Sequence, residues 1–87
     1  PDTDTFKGLS MAYDAIKAGG SMPTVYNAAN EKAVSLFLER KIRFLEIYDL
    51  IEGAMAHHKV VADPSVEEIL DAEAAAYEYI ESRYPHF

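Results

Sequence analysis

The 87-residue sequence contains no cysteine, only four glycines and only four prolines. Without cysteine the chain can form neither a disulfide scaffold nor a thiolate metal site, which fits a reducing compartment. Runs of β-branched residues are nearly absent apart from Val60 and Val61, and no alternating stretch is long enough to predict a strand. No apolar run approaches the ~20 residues that a membrane-spanning helix needs.

Positive charge is also scarce. Eight lysines and arginines are outnumbered by fifteen aspartates and glutamates, which gives a net charge of -7. Phosphate groups would repel such a chain, so neither nucleic acid nor an anionic membrane surface is expected as a partner. Hydrophobic residues make up 49% and charged residues 26% of the sequence. That mixture is typical of a folded protein, and the length favours one domain over residues 1–87.

Helix-forming residues are abundant, and their periodicity predicts four helices, at residues 6–18, 23–41, 46–59 and 66–84. Because the connections are short, sequential helices should pack as neighbours. We therefore expect an all-α, four-helix bundle-like domain, with or without a superhelical twist. Three predicted apolar stripes would face its core: Phe6, Leu9, Tyr13 and Ile16 in the first helix; Ile47, Leu50, Ile51, Ala54 and Met55 in the third; and Val66, Ile69, Leu70, Ala74 and Tyr77 in the fourth.

Capping residues support these helix boundaries. Ser21 is placed to cap the second helix, and Pro23 suits its first turn, where a missing N–H costs nothing. Ser65 and Glu68 have the spacing of a capping box before the fourth helix. Leu45 precedes the third helix and caps poorly, so we expect the start of that helix to fray.

The residues that could carry chemistry favour structural roles, and we predict no catalytic, cofactor-binding or metal-binding residue. His57 and His58 are adjacent, so their side chains point about 100° apart on a helix and cannot share a metal ion. The acidic stretch at residues 67–73 lacks the glycine-turned ligand series of a calcium loop and suits a solvated helix start. Gly19 and Gly20 lack the preceding strand and third glycine of a dinucleotide fingerprint, and they predict a turn.

The second helix has an unusually wide apolar arc. At about 100° per residue, its apolar side chains span roughly 220° of the helix surface. A surface helix that packs on one side needs little more than ~100°. The helix is therefore expected to be buried on more than one side, with Lys32, Ser35 and Glu39 facing water. The arc contains Val25, Tyr26, Ala29, Ala33, Val34, Leu36, Phe37 and Leu38.

Three polar residues interrupt or border this arc. Asn27 and Asn30 lie inside it, and Glu31 lies at its edge. A buried amide without a partner costs roughly 1–3 kcal/mol, so each asparagine should have hydrogen-bond partners. Those partners could be groups within this domain, groups of another domain docked against it, or a ligand. Asn27, Asn30 and Glu31 are thus the candidate structural or interdomain residues of the chain.

The same segment carries a family resemblance. The stretches "MAYDAIKAGG", "MPTVYNAANEKAVSLFLERKIRFLEI" and "DPSVEEILDAEAAAYEYI" resemble the C-terminal helical domain of 1-deoxy-D-xylulose 5-phosphate reductoisomerase. The "NAANE" core, followed by the "FL" pair and "IRF", is the most specific part. The order and spacing of the segments match over essentially the whole chain. Tyr26 departs from the family, which more often has leucine there, and Leu45 departs from the usual threonine or serine.

The resemblance implies a parent enzyme that converts 1-deoxy-D-xylulose 5-phosphate into 2-C-methyl-D-erythritol 4-phosphate, a step of non-mevalonate isoprenoid biosynthesis. Such enzymes use NADPH and a divalent cation, Mg or Mn, and are homodimers of the cytoplasm, or of the plastid in plants and algae. Their NADPH-binding and catalytic domains precede the helical domain. Since none of those motifs occurs in this sequence, the resemblance implies an inactive structural domain that packs against the catalytic domain of the same chain.

Two other interpretations stay open at this point. The chain could be a free-standing helical module that binds another protein, or an enzyme with a metal site inside a helix bundle. Because the sequence begins with Pro1 rather than methionine, we expect a domain cut from a longer polypeptide rather than a small processed protein.

Overall fold

The computed structural model describes residues 3–84, with side chains from Lys7 onward, and these residues form four helices. The helices are α1 (Thr3–Ala18), α2 (Met22–Leu38), α3 (Glu46–His57) and α4 (Val66–Arg83). No strand occurs between residues 3 and 84, and the expected all-α, bundle-like fold is confirmed. α2 is the central helix, since it packs against each of the other three. The domain is a slab that measures 35 × 29 × 17 Å.

The core forms where α2 meets α3 and α4. Small side chains on α2 let the neighbouring helices approach closely, and larger ones fill the remaining space. The residues that α2 buries are Met22, Val25, Ala28, Ala29, Ala33 and Leu36. The apolar stripe predicted for α3 is confirmed, because Ile47, Leu50, Ile51 and Ala54 are buried and Met55 packs against the core.

α2 ends earlier than its predicted boundary at residue 41. Its last helical residue is Leu38, and Arg40 has a φ of 62°. The Lys41 N–H donates to the Leu36 carbonyl and the Arg40 N–H to the Phe37 carbonyl, both at 2.9 Å. This is a Schellman ending, in which the left-handed residue is normally glycine. An arginine in that place gives no sequence signal for a stop, which explains the error.

α3 begins at its predicted residue, Glu46, although Leu45 makes no side-chain cap. The buried Glu46 carboxylate accepts a 2.5 Å hydrogen bond from the Arg43 N–H. This bond ties the preceding loop to the first turn of the helix. α4 begins with the expected capping box: the Glu68 N–H donates to Ser65 Oγ at 3.1 Å, and the Ser65 N–H donates to Glu68 Oε1 at 3.0 Å.

The apolar stripe predicted to bury α1 is wrong for the residues that the structure describes. Three members of the predicted stripe are exposed: Leu9, Tyr13 and Ile16. The Phe6 side chain lies outside the described residues. From Lys7 onward, the buried residues of α1 are Met11 and Ala15, on the opposite side of the helix. Periodicity located an apolar stripe correctly, but it does not state which neighbour the stripe faces.

The prediction for α4 is also largely wrong. The core side of this helix consists of Ala72, Ala76 and Ile80, which recur every four residues. Five residues had been predicted to face inward; Val66, Ile69, Leu70 and Ala74 are exposed, and Tyr77 is partly buried. The first two turns of α4 thus carry large apolar side chains that are mostly exposed, Val66 at 75% and Leu70 at 58%. Alanines fill the inner side because α4 lies close to α2 and α3.

Candidate interdomain surface

The two asparagines lie on the outward side of α2. Asn27 and Asn30 are both exposed, and neither side chain forms a hydrogen bond with another described residue. Of the three kinds of partner considered for these amides, groups within the described part of this domain are not the ones used. Most of the wide apolar arc of α2 packs against the core, with Tyr26, Val34 and Phe37 partly buried, and the asparagines lie at the margin of the arc where Leu38 is exposed. Val34 is partly exposed and Leu38 is exposed on that same side.

Glu31 borders this outward side and is held by α4. The Tyr77 hydroxyl donates a 2.7 Å hydrogen bond to Glu31 Oε1. This bond, together with partial burial and the nearby negative charge of the carboxylate, raises the pKa of the Tyr77 hydroxyl to about 12. Asn27 and Glu31 also line a shallow depression between α2 and α4, whose far wall includes Ile69 and Tyr77. The structure thus brings Asn27 and Glu31 together, while Asn30 lies outside the depression.

A second polar contact fixes α4 against α2. Lys32 Nζ lies 2.6 Å from Glu81 Oε1, and this hydrogen-bonded ion pair lowers the pKa of the Glu81 carboxyl. The Lys32 side chain is partly buried rather than facing water as the sequence suggested. Lys32 and Glu31 therefore attach one flank of α2 to α4. The Asn27 and Asn30 amides are not used in that attachment.

Ser21 joins the start of α2 to the segment after α3. Its Oγ accepts a 2.8 Å hydrogen bond from the Val61 N–H and lies 2.7 Å from His58 Nε2. Its own N–H donates to the Val61 carbonyl at 2.9 Å. The expected side-chain cap on α2 is absent, since the hydroxyl serves this connection instead. Burial lowers the pKa of the His58 ring, which favours its neutral form.

The Ser21 and His58 pair does not have the surroundings of a catalytic dyad. Ser21 is fully buried, and its hydroxyl is already occupied by the Val61 N–H. A nucleophile must be accessible to a substrate, with donors placed to stabilise the developing oxyanion. The pair is better explained as a structural tie between two loops.

An open groove runs between α3 and α4. The His57 ring packs on the Tyr79 ring, with 5.2 Å between the two centroids. The guanidinium carbon of Arg83 lies 5.5 Å from the centroid of the same tyrosine ring. Glu78 and Ser82 complete one wall of the groove. Across residues 3–84 there is no group of three or more histidine, cysteine, aspartate or glutamate side chains that could hold a metal ion. No helix in the same residues is both long and apolar enough to cross a membrane.

Sequence reasoning missed the exposed apolar residues of α1 and α4 as candidates for an interaction surface. The signal was present, since α1 has an apolar stripe of large residues and a separate stripe that contains Met11 and Ala15. A helix with two apolar sides has one more than its own domain needs. The larger residues were assigned to the core of the domain because they would bury more apolar area there, and that assignment was wrong.

Comparison with known proteins adds an independent finding. Residues 1–79 match a family described as the DXP reductoisomerase C-terminal domain. A protein of Agathobacter rectalis named 1-deoxy-D-xylulose 5-phosphate reductoisomerase is 56% identical over 84 residues, which are 97% of this chain and 22% of the relative. A protein of that name in Acetivibrio thermocellus is 49% identical over 81 residues, which are 93% of this chain and 21% of the relative.

A third relative, from Bacillus anthracis, is named 1-deoxy-D-xylulose 5-phosphate reductoisomerase 2. It is 56% identical over 77 residues, which are 88% of this chain and 20% of the relative. The chain thus spans about a fifth of the length of the curated relatives it matches.

Proposed function

Because the chain belongs to the family of DXP reductoisomerase C-terminal domains, we propose that it is the C-terminal helical domain of a longer 1-deoxy-D-xylulose 5-phosphate reductoisomerase. Its role there is structural, since it packs against the catalytic domain of the same chain and braces it. The observation that carries the proposal is the match of 97% of this chain to only 22% of a relative with that name.

The reaction we propose for the longer enzyme is the isomerisation of 1-deoxy-D-xylulose 5-phosphate and its reduction by NADPH to 2-C-methyl-D-erythritol 4-phosphate. The enzyme would act in the cytoplasm as a homodimer with a bound Mg or Mn ion. The residues described here do not fit either cofactor. They offer no cluster of metal-ligating side chains, and the Gly19–Gly20 pair forms a turn beside Val61 rather than a dinucleotide loop. We therefore derive no catalytic step from this domain.

The candidate residues have an interdomain role in this proposal. Asn27 and Asn30 are not needed for the hydrogen bonding of the domain, because no buried side-chain N or O atom among the described residues lacks a partner. Two amides beside Val34 and Leu38 form a surface that can donate to and accept from the backbone of a neighbouring domain. Glu31, held by Tyr77, lies at the edge of that surface.

The proposal is tested with the full reading frame that contains this chain. The complete protein and a version without the 87 residues are purified and assayed for NADPH oxidation with 1-deoxy-D-xylulose 5-phosphate and Mg or Mn. We expect turnover by the complete protein, a loss of thermal stability and activity in the truncated version, and no turnover by the 87-residue chain alone. Turnover by the 87-residue chain, or an inactive complete protein, would contradict the proposal.

A further inference from the structure

We propose that α1, α2 and α4 together present one docking face, here called the three-helix face, and that its occupant is the remainder of the same longer chain. The inference rests on the proposed function and assigns the surface that performs it. Six large apolar side chains on this face are between 51% and 75% exposed: Leu9, Tyr13, Ile16, Leu38, Val66 and Leu70. Single exposed apolar residues are ordinary, whereas a contiguous group of them marks an interaction site.

On α1 the apolar stripe points away from α3. Lys7 Nζ lies 3.5 Å from Asp49 Oδ1, so the Lys7 side of α1 faces α3. At about 100° per residue, Leu9 and Ile16 point roughly 160–180° away from Lys7. The exposed stripe of α1 is therefore on the side opposite α3.

On α2 the outward residues also point away from α3. Val25 is buried and lines a small cavity with Ala54 of α3. Relative to Val25, the helical repeat places Asn27, Val34 and Leu38 roughly 140–180° around the helix. The outward half of α2 thus shares the orientation of the α1 stripe.

On α4 the first two turns repeat this arrangement. The Tyr79 ring stacks against His57 of α3 with centroids 5.2 Å apart, which marks the α3 side of α4. Relative to Tyr79, Val66 and Leu70 lie roughly 140–180° around the helix. These two side chains therefore project away from α3 as well.

Because of how the helices are arranged, the outward sides of α1, α2 and α4 form one continuous face. α1 and α4 each pack on both α2 and α3. The slab is 17 Å thick, which fits two layers of helices with axes about 8–10 Å apart. α1, α2 and α4 form one layer and α3 lies beneath it, so side chains that point away from α3 emerge on the same broad side.

The α2 residues at the centre of the three-helix face are uncharged. Asn27, Asn30 and Leu38 are the exposed ones, and the carboxylates of Glu31 and Glu73 lie at the margin, in the depression between α2 and α4. This neutrality is unusual in a chain with 15 acidic residues among 87. Depletion of charge at the centre of an interface is typical of protein–protein contacts and does not suit a nucleic acid or an anionic lipid. The partner surface should be apolar, with backbone or side-chain groups for the two amides.

The size of the face fits a domain of the same chain. A side of 35 × 29 Å has an area on the order of 1,000 Å², and interdomain interfaces within a chain bury about 600–1,500 Å². The relative from Agathobacter rectalis has 78% of its length outside the match, since the match covers 22% of it. The proposed occupant is that additional part of the longer chain, and a second copy of this domain is the rival occupant.

Photo-crosslinking in the complete protein tests the inference. Benzoylphenylalanine is placed in turn at Tyr13, Leu38 and Leu70, and at Ala56 as a matched control on the exposed side of α3. We expect intrachain crosslinks from the three face positions to peptides outside these 87 residues, in severalfold higher yield than from Ala56. A crosslinked product of twice the chain mass, or equal yields at Leu38 and Ala56, would overturn the inference.

Thiol labelling covers the case in which the bulky photoreactive group prevents folding. Leu38→Cys and Ala56→Cys are made in the complete protein, and alkylation at each site is followed by mass spectrometry. Severalfold slower alkylation at position 38 supports the face, and equal rates overturn it. The enzyme assay separates this inference from the proposed function. If the complete protein is an active reductoisomerase but position 38 is not protected from alkylation, only the three-helix face is refuted. If the face positions crosslink but the complete protein has no reductoisomerase activity, only the proposed function is refuted.

Discussion

The hydroxyl oxygen of Ser21 lies 2.7 Å from Nε2 of His58, and this contact joins two loops that are 37 residues apart in the chain. The oxygen also accepts the Val61 N–H, so the hydroxyl proton is free to be donated to a neutral imidazole. A protonated ring has no acceptor nitrogen, so it can only donate from Nε2–H to the Ser21 oxygen, and the hydroxyl proton then loses this acceptor. Protonation of His58 therefore weakens the side-chain part of the connection between α2 and the end of α3, while the two backbone hydrogen bonds with Val61 remain.

We expect the free energy of unfolding to fall as the pH drops below about 6.5. Burial lowers the pKa of His58 in the folded state, so the unfolded chain takes up the proton first. Stability is then fully present above the unfolded-state pKa and is lost as the pH falls through the folded-state value. Thermal unfolding between pH 8 and pH 5 measures this slope. His58→Gln should flatten the slope, while His57→Gln serves as the control; an unchanged slope in His58→Gln would count against the tie.

Gly20→Ala should destabilise the domain by more than the ~2 kcal/mol that a left-handed alanine costs at most. Gly20 has a φ of 54°, and a Cβ there would overlap the Val61 carbonyl oxygen. That oxygen cannot easily move, since it accepts the Ser21 N–H. Gly19→Ala is the matched control, because Gly19 also has a positive φ, 68°, but its Cβ would meet open space apart from one atom at 4.0 Å.

Chemical denaturation of the two glycine variants separates backbone strain from the overlap. Gly19→Ala should show only the cost of a left-handed alanine, about 1–2 kcal/mol, and Gly20→Ala should lose more. Equal losses in the two variants would mean that the contact with Val61 contributes nothing.

How far the sequence predicts this structure depends on whether the signal is local. The capping box of Ser65 and Glu68 and the start of α3 were predictable, because they depend on neighbouring residues. The end of α2 was not predictable, since Arg40 adopts a left-handed conformation that is uncommon for arginine. The Ser21 to His58 contact was equally hidden, because its partners meet only in the folded chain.

The exposed surface shows a second limit. Periodicity identifies apolar stripes, but a stripe that serves another domain has the same pattern as one that serves the core. Leu9 and Ile16 were assigned to the core and are exposed, while Ala15 and Ala76 are buried with much smaller side chains. The asparagines of α2 were recognised as unusual from sequence. Their position on an open side required the structure.

The alkaline titration of Tyr77 should report its bond to Glu31. The bond raises the pKa of the hydroxyl to about 12, so the folded state keeps the proton after the unfolded chain has lost it. The contribution to stability is present below pH 10 and is lost as the pH rises towards 12. The difference in absorbance at 295 nm between the chain and Tyr77→Phe isolates this titration.

Glu31→Gln removes the negative charge and keeps the size of the side chain. It should move the titration of Tyr77 down towards the ordinary value of about 10. Glu73→Gln is the comparison, since the Glu73 charge also raises the pKa of Tyr77 but without a hydrogen bond, so this variant should shift the titration much less than Glu31→Gln. If the pKa of the Tyr77 hydroxyl is the same with and without Glu31→Gln, the two side chains are not in contact in solution.

The 87-residue chain alone should self-associate through the three-helix face. Without the rest of a longer protein, Ile16 and Leu38 remain in contact with water, and a second copy is the nearest apolar surface. Sedimentation velocity over a range of concentrations measures the association. Leu38→Glu should weaken it, whereas Val60→Glu, a change at an exposed apolar residue outside the face, should not. A monomer at every concentration would contradict this expectation.

Asn30→Leu distinguishes a role within the domain from a role between domains. In the 87-residue chain the amide is exposed and makes no hydrogen bond to a described residue, so the melting temperature should hardly change. In the complete protein the same change would leave the facing polar groups buried without a partner, which costs roughly 1–3 kcal/mol. Ser35→Leu is the control, because Ser35 is exposed on α2 but points roughly 140° away from Asn30. An equal loss of stability in both contexts would place the partner of Asn30 inside the domain. No loss in either would show that this side of α2 stays open to water.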